Sequence, residues 1–199
     1  MRPSRLRWLA RTGGPHLLTD TDRIPAHEAG AERGDVSAEA HGPREAALVA
    51  HLVEHHHVRA RRSLPYIVPL LAKVAGRHGR RNRRLDALCE AGNELADVLE
   101  RFFDEEERAL FPALAAGAGA REIVRVEIEE MVRHHREVER LFARVRSLSD
   151  GYVAPEWGDG TYRALMEELE ALEGDVLEHV QLESRALIPS LLSGTPEAS

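Results

Sequence analysis

Lysine is almost missing from this chain: of 27 basic residues only Lys73 is a lysine. We read that as codon bias without functional content. Cysteine is nearly as scarce. Cys89 stands alone, cannot close an intrachain disulfide, and gives no reason to require an oxidising compartment. Long hydrophobic runs are missing too. Nowhere do about eighteen apolar residues follow one another, and the nearest approach, Leu64 to Gly76, is broken by Pro65, Pro69 and Lys73. Positive charge is not in excess: 34 acids outweigh the bases, the net charge is −7 and the pI is about 5.9, which argues against nucleic acid as the main partner. Membrane-spanning, collagen-like and disulfide-scaffold classes are excluded, and a cytoplasmic protein is expected. No Ser/His/Asp order, Walker loop, GxGxxG or CxxC is found, so hydrolase, kinase and dehydrogenase readings have no support.

What is present is a chain of 199 residues, enough for one domain with a sizeable core. Residues 1–43 are rich in Arg, Gly, Pro, Asp and Glu without apolar periodicity, and are expected to be a disordered tail. Arg2, Arg5, Arg7 and Arg11 faintly suggest a targeting peptide, but a secretory apolar region is lacking. From Pro43 onward, apolar residues recur at three- and four-residue steps in four segments: about Pro43 to Arg77, Arg84 to Ala115, Ala120 to Leu148, and Thr161 to Leu192. Breaks rich in Gly, Pro or charge separate them. Short links between long helices predict an all-α, antiparallel up-down four-helix bundle over residues 44–192, followed by a short tail, 193–199. Pro65 and Pro69 should kink or break the first segment near Leu64.

One internal repeat stands out. Glu106-Glu107-Arg108-Ala109-Leu110-Phe111-Pro112 matches Glu183-Ser184-Arg185-Ala186-Leu187-Ile188-Pro189 without a gap, at an offset of 77 residues. The second and fourth helices therefore read as copies, and paired ligands are expected on them. His179 and Glu183 are spaced i, i+4, which puts an imidazole and a carboxylate on one helical face. The equivalent positions in the second helix are Phe102 and Glu106. With His57 on the first helix and His135 on the third, an inward set of His57, Glu106, His135, His179 and Glu183 draws on all four helices. Neutral imidazoles with carboxylates suit iron or manganese, and two carboxylates able to bridge suit a two-metal site in a bundle core. His57 lies 24 residues before the centre of the first turn and Glu106 lies 25 after it, so the two should face each other. Glu106 and His135 are less well matched across the second link, by roughly 7 Å at the helical rise. His78 lies 21 residues after His57, roughly 31 Å along a straight helix, and distance alone would leave it out.

From Ala46 to Leu192 the chain resembles the hemerythrin-like domain of the iron–sulfur cluster repair di-iron family. The resemblance rests on His56-His57 through Leu64-Pro65 to His78-Gly79, Glu105-Glu106 with Leu110-Phe111-Pro112, Met131 through His134-His135, and His179 through Glu183 to Pro189. It implies a non-heme di-iron centre in a four-helix bundle, with His57, His78, His135 and His179 as histidine ligands and Glu106 and Glu183 as bridging carboxylates. Its inclusion of His78 requires the first segment to double back at its prolines. It also implies dioxygen, nitric oxide or peroxide as small ligand, and a damaged iron–sulfur protein as partner. Two departures stand against it. A family histidine falls on Phe102, which cannot coordinate. The cysteine pair of the family's amino-terminal domain has no counterpart here.

Three classes of function remain open on these residues: an iron donor for cluster repair, an oxygen or nitric oxide sensor with a mononuclear or asymmetric iron site, and a metal-free structural bundle. His55, His56 and His134 read as supporting or solvated, His51 as surface, Glu139 as solvated, and Phe102 and Phe103 as core. Cys89 reads as a buried small residue. The arginines from Arg77 to Arg84 read as a solvated turn, with docking onto an acidic partner as the functional alternative.

Overall fold

The computed structural model describes residues 41–115 and 121–188, so the expected tails fall outside the described residues apart from the last few positions of the first. The described chain forms four helical rods. The first comprises helix α1 (His41–His51), a π-helical turn π1 (Leu52–His57) and α2 (Val58–His78). The second comprises α3 (Arg84–Glu105), π2 (Glu106–Leu110) and α4 (Phe111–Ala115). The third is α5 (Arg121–Leu148), and the fourth is α6 (Gly160–Leu182) followed by π3 (Glu183–Leu187). No strand occurs among the described residues, and no helix there is long and apolar enough to cross a membrane. Helix α2 packs on α3 and α6, α3 packs on α5, and α5 meets α6, closing an all-α four-helix bundle.

The three- and four-residue apolar spacing translates directly into the core. Leu64, Ile67, Leu71 and Val74 of the first rod meet Leu88, Leu95 and Leu99 of the second. Val138, Leu141 and Val145 of the third complete it with Leu165, Leu169 and Leu172 of the fourth. Each such leucine, fully buried, contributes about 1.5–3 kcal/mol. The first and second rods are in close contact at Gly92, where a Cβ would lie 2.3 Å from Leu71 Cδ1.

The first rod corrects one expectation. Helix α2 runs through Pro65 and Pro69 without interruption. Both prolines are exposed, and each forgoes one backbone hydrogen bond, to the carbonyls of Arg61 and Pro65, without ending the helix. The arginines of the basic turn are exposed, as its composition suggests, and three of them also engage neighbouring groups. Arg84 pairs with Asp150 at 2.5 Å and donates to the Ser147 carbonyl, Arg77 pairs with Asp159 at 3.0 Å, and Arg81 stacks 4.4 Å from the Trp157 ring centroid. Asp159 caps α6 by accepting from the Tyr162 amide at 2.9 Å. Cys89 is half-buried against the core.

Two glycine substitutions check this packing. Gly174→Ala, in α6 with open space around its missing Cβ, should gain about 0.5–1 kcal/mol from helix propensity. Gly92→Ala should lose stability, because overpacking at Leu71, worth about 1–3 kcal/mol, outweighs the same gain. Urea unfolding midpoints moving in opposite directions are the expected outcome; a shift of the same sign in both would show that Leu71 yields freely.

Candidate metal centre

Toward one end of the bundle the apolar core gives way to charge. Each rod delivers its ligand candidates at this level: His57 closes π1, Glu106 opens π2, His135 lies in α5, and His179 and Glu183 sit at the junction of α6 with π3. Three of the four rods therefore switch to π geometry where their candidates stand. The amides of Val58, Phe111 and Ile188 bond to the carbonyls five residues earlier, at Val53, Glu106 and Glu183. Such wide turns commonly occur at functional sites. The sequence repeat carries the geometry with it, since π2 and π3 occupy equivalent positions of the 77-residue copy. Pro112, just beyond π2, lacks the N–H that a continuing α-helix would use. Arg108 Nε donates to the Asp104 carbonyl at 3.1 Å, supplying a partner to the backbone there.

The side chains converge as two groups sharing Glu106. His57, Glu106 and His179 form one, and Glu106, His135 and Glu183 form the other; within each group the donor atoms all lie within 4.8 Å of one another. His57 Nε2 is 3.2 Å and His179 Nε2 is 3.4 Å from Glu106 Oε2. His179 Nε2 is 3.2 Å and His135 Nε2 is 2.9 Å from Glu183 Oε2. All five residues are buried. The loose match of Glu106 and His135 across the second link does not keep them apart.

His78 is not brought to this group. It ends α2, where its Nε2 faces Asp159 at 3.2 Å and its ring lies 5.7 Å from those of Trp157 and Tyr162. Its inclusion required the first segment to fold back, and an uninterrupted α2 keeps it at the far end from His57. Glu139 is exposed on α5, and His134 meets Glu105 at 3.4 Å.

The electrostatics favour a cation. Burial, and then the Glu183 charge, push the Glu106 carboxyl above the ordinary range. Burial also opposes ionisation of Glu183, but the His179 charge, the His135 hydrogen bond and the closeness of the His179 ring prevail and hold it down at about 2. Burial likewise opposes the charge on His179, yet Glu183 and Glu106 raise its pKa to about 10. Even so, His57 Nε2, both His179 ring nitrogens, both Glu106 oxygens and Glu183 Oε1 have no hydrogen-bond partner. Buried polar atoms left this way are costly. Imidazole nitrogens and carboxylate oxygens around one point fit a first-row transition metal.

Phe102 occupies the position where symmetry with His179 would place an imidazole. Its buried ring lies 5.5 Å from that of His135 and 5.7 Å from that of His179. A cavity of about 20 Å³, lined by Glu105, Glu106, Glu127, Glu130 and His134 among others, adjoins Glu106. That is room for one water.

Two supports were not legible as such. His57 Nδ1 bonds to Glu107 Oε1 at 2.7 Å, and Arg61 holds the same oxygen at 2.5 Å. Burial works against the Glu107 charge, but the His57 and Arg61 donors keep its carboxyl below the usual range. His56 Nδ1 donates to the Asp175 carbonyl at 3.1 Å. Adjacency of Glu107 to Glu106 was the available signal for the first, since successive carboxylates at a ligand position invite a second role.

With fold and geometry in place, comparison with known proteins identifies the class. A model of the hemerythrin HHE cation-binding domain matches residues 48–191, and the chain belongs to that family. Among curated relatives, it is similar to the iron–sulfur cluster repair protein YtfE of Edwardsiella ictaluri, 33% identical over 145 residues, covering 73% of this chain and 65% of that protein. It is also similar to the protein of the same name from Pectobacterium atrosepticum, 30% identical over 152 residues, covering 75% of this chain and 66% of that one. The chain thus spans about two thirds of the length of these relatives.

The Glu107 support yields a prediction. Glu107→Ala should weaken cation affinity by about 10–100-fold, the usual cost of releasing the far nitrogen of a ligating histidine. Arg61 retains Asp104 at 2.7 Å, so the helical content should hold. Competition titration against a chromophoric chelator measures the affinity, and an unchanged value would remove Glu107 from the site.

Proposed function

We propose that this protein binds non-heme iron at two positions, bridged by Glu106 and Glu183, with His57 and His179 serving one position and His135 the other. The observation that carries the reading is the pair of buried carboxylates with unpartnered oxygens, surrounded by three inward imidazoles. A metal-free bundle gains nothing from burying them. Iron held there supplies redox chemistry and an open position for dioxygen, nitric oxide or peroxide. The residues do the rest. The carboxylates neutralise the cations, Glu107 fixes the His57 ring, and Phe102 and Phe103 exclude water from the inner side.

The relatives are named for iron–sulfur cluster repair, and we assign the same role here: a cytoplasmic iron donor to damaged clusters under nitrosative or oxidative stress. Phe102 favours a second reading. With one imidazole missing and an apolar ring against His135, the site also suits a gas sensor with one iron, or with two unequal ones.

Iron per chain decides first, measured by elemental analysis on protein expressed with iron supplementation and purified anaerobically. Two irons are expected; one would favour the mononuclear sensor, and none would overturn the metal reading. Phe102→His should raise iron retention during dialysis against chelator, with circular dichroism confirming the fold; unchanged retention would count against the asymmetric site. Donor and sensor separate on reduction: a donor loses iron and restores a damaged cluster enzyme, whereas a sensor keeps a stable nitric oxide adduct.

A further inference from the structure

A second group of imidazoles lies outside the buried centre. His51 ends α1 and is exposed, as is His55 within π1. Their ring centroids are 4.5 Å apart, and the His51 ring lies 5.6 Å from that of His56. This juxtaposition is a product of the π turn. In an α-helix the residues at i+3 and i+4 stand beside residue i, whereas a turn bonded i to i+5 also brings i+5 beside it. His55 and His56 thus flank His51 together.

The third imidazole is prepared as a ligand. Its Nδ1 faces the Asp175 carbonyl, which can only accept, so Nδ1 carries the hydrogen and Nε2 keeps its lone pair. Metal-bound histidines are typically oriented in this way. Asp175 is itself held by Arg59 at 2.7 Å. On its other side the His56 ring lies 5.7 Å from that of His179. The imidazoles therefore form a continuous row from the surface, through His56, to a residue of the buried centre. Glu54 is exposed in the same turn, and Glu178 stands near His56 on the neighbouring rod, its charge opposed to that of His179. The three sets of donor atoms are not gathered on one point in this structure, so binding requires the two exposed rings to rotate until a nitrogen of each reaches the ion, at about 2.1 Å.

We propose that His51, His55 and His56 form a surface site for a divalent first-row transition metal, one ring away from the buried centre, through which metal reaches that centre. The delivery role rests on the iron reading above; the surface site does not.

The test uses the full chain and the double variant His51→Ala/His55→Ala, whose substitutions fall on an exposed turn and leave every proposed ligand of the buried centre intact. Ni²⁺ is titrated calorimetrically into both proteins after iron loading. Uptake of added Fe²⁺ by the metal-free forms is followed by near-ultraviolet absorption, with final iron content measured on the same samples. The expected result is one Ni²⁺ equivalent in the parent that the variant lacks, together with several-fold slower iron uptake in the variant to the same final content. Absence of that equivalent, or its survival in the variant, overturns the site. Uptake at the parental rate overturns the delivery role. Failure of the iron reading looks different, because the parent would then take up no iron at any time while the Ni²⁺ comparison still reads the surface site.

Discussion

Glu106 and Glu183 project from two copies of one helical motif into the same small volume, and both are cut off from water. An isolated buried carboxylate costs several kcal/mol even after relaxation, and two facing each other add repulsion. His179, held as a cation, offsets one of them. Burial and the Glu183 charge raise the pKa of Glu106, and both of its oxygens lack a hydrogen-bond partner. A bound cation would give these oxygens, and the imidazole nitrogens beside them, the partner they lack. The family's cation-binding character and the local electrostatics thus converge on one requirement, and much else in this end of the bundle serves it.

The helices meet that requirement by departing from α geometry. A regular helix offers one side chain per turn to a given line, and its core face is already committed to leucines. Widening a turn by one residue re-aims the side chains at that level without disturbing the packing below. The same device appears at π1, π2 and π3, and at π2 and π3 it falls on equivalent residues of the repeat. The apolar body from Leu64 to Val74, with its partners on the other rods, supplies the rigidity against which these turns are set. At π1 the widened turn has a second consequence, since it gathers exposed imidazoles beside the buried ones.

Much of this was legible in the sequence, and the reasons for the rest are physical. Helix spans followed from apolar spacing because packing against a core enforces that period on every rod. The inward set of His57, Glu106, His135, His179 and Glu183 emerged from the repeat, the i, i+4 pair and a count of helical levels. The π turns were hidden because a bulge changes hydrogen bonding without changing composition; the repeated Leu-Phe-Pro and Leu-Ile-Pro endings marked their place but not their geometry. His78 was misplaced for a related reason. Two prolines were expected to end the segment, yet the helix carries both, because Leu64, Ile67, Leu70 and Leu71 between and around them are buried in the core and hold it in place. Glu107 was passed over although it adjoins Glu106, because a carboxylate beside a ligand position is solvated as readily as it orients a neighbouring ring.

The departure at Phe102 makes the two halves of the centre unequal in a definite sense. On the proposed reading the carboxylates are shared, so any difference between the positions rests on the imidazoles. One position draws on His57 and His179, and the His57 ring is locked by Glu107 and Arg61. The other draws on His135 alone, and the copy of Glu107 in the fourth rod is Ser184, too short to offer the same support. Ligand number and ligand orientation therefore bias retention in the same direction. The water-sized cavity beside Glu106 and the acidic side chains lining it lie at this end of the bundle as well. On the proposed reading, a single apolar ring thus divides a site laid out by a repeated motif into a half held by two imidazoles and a half held by one.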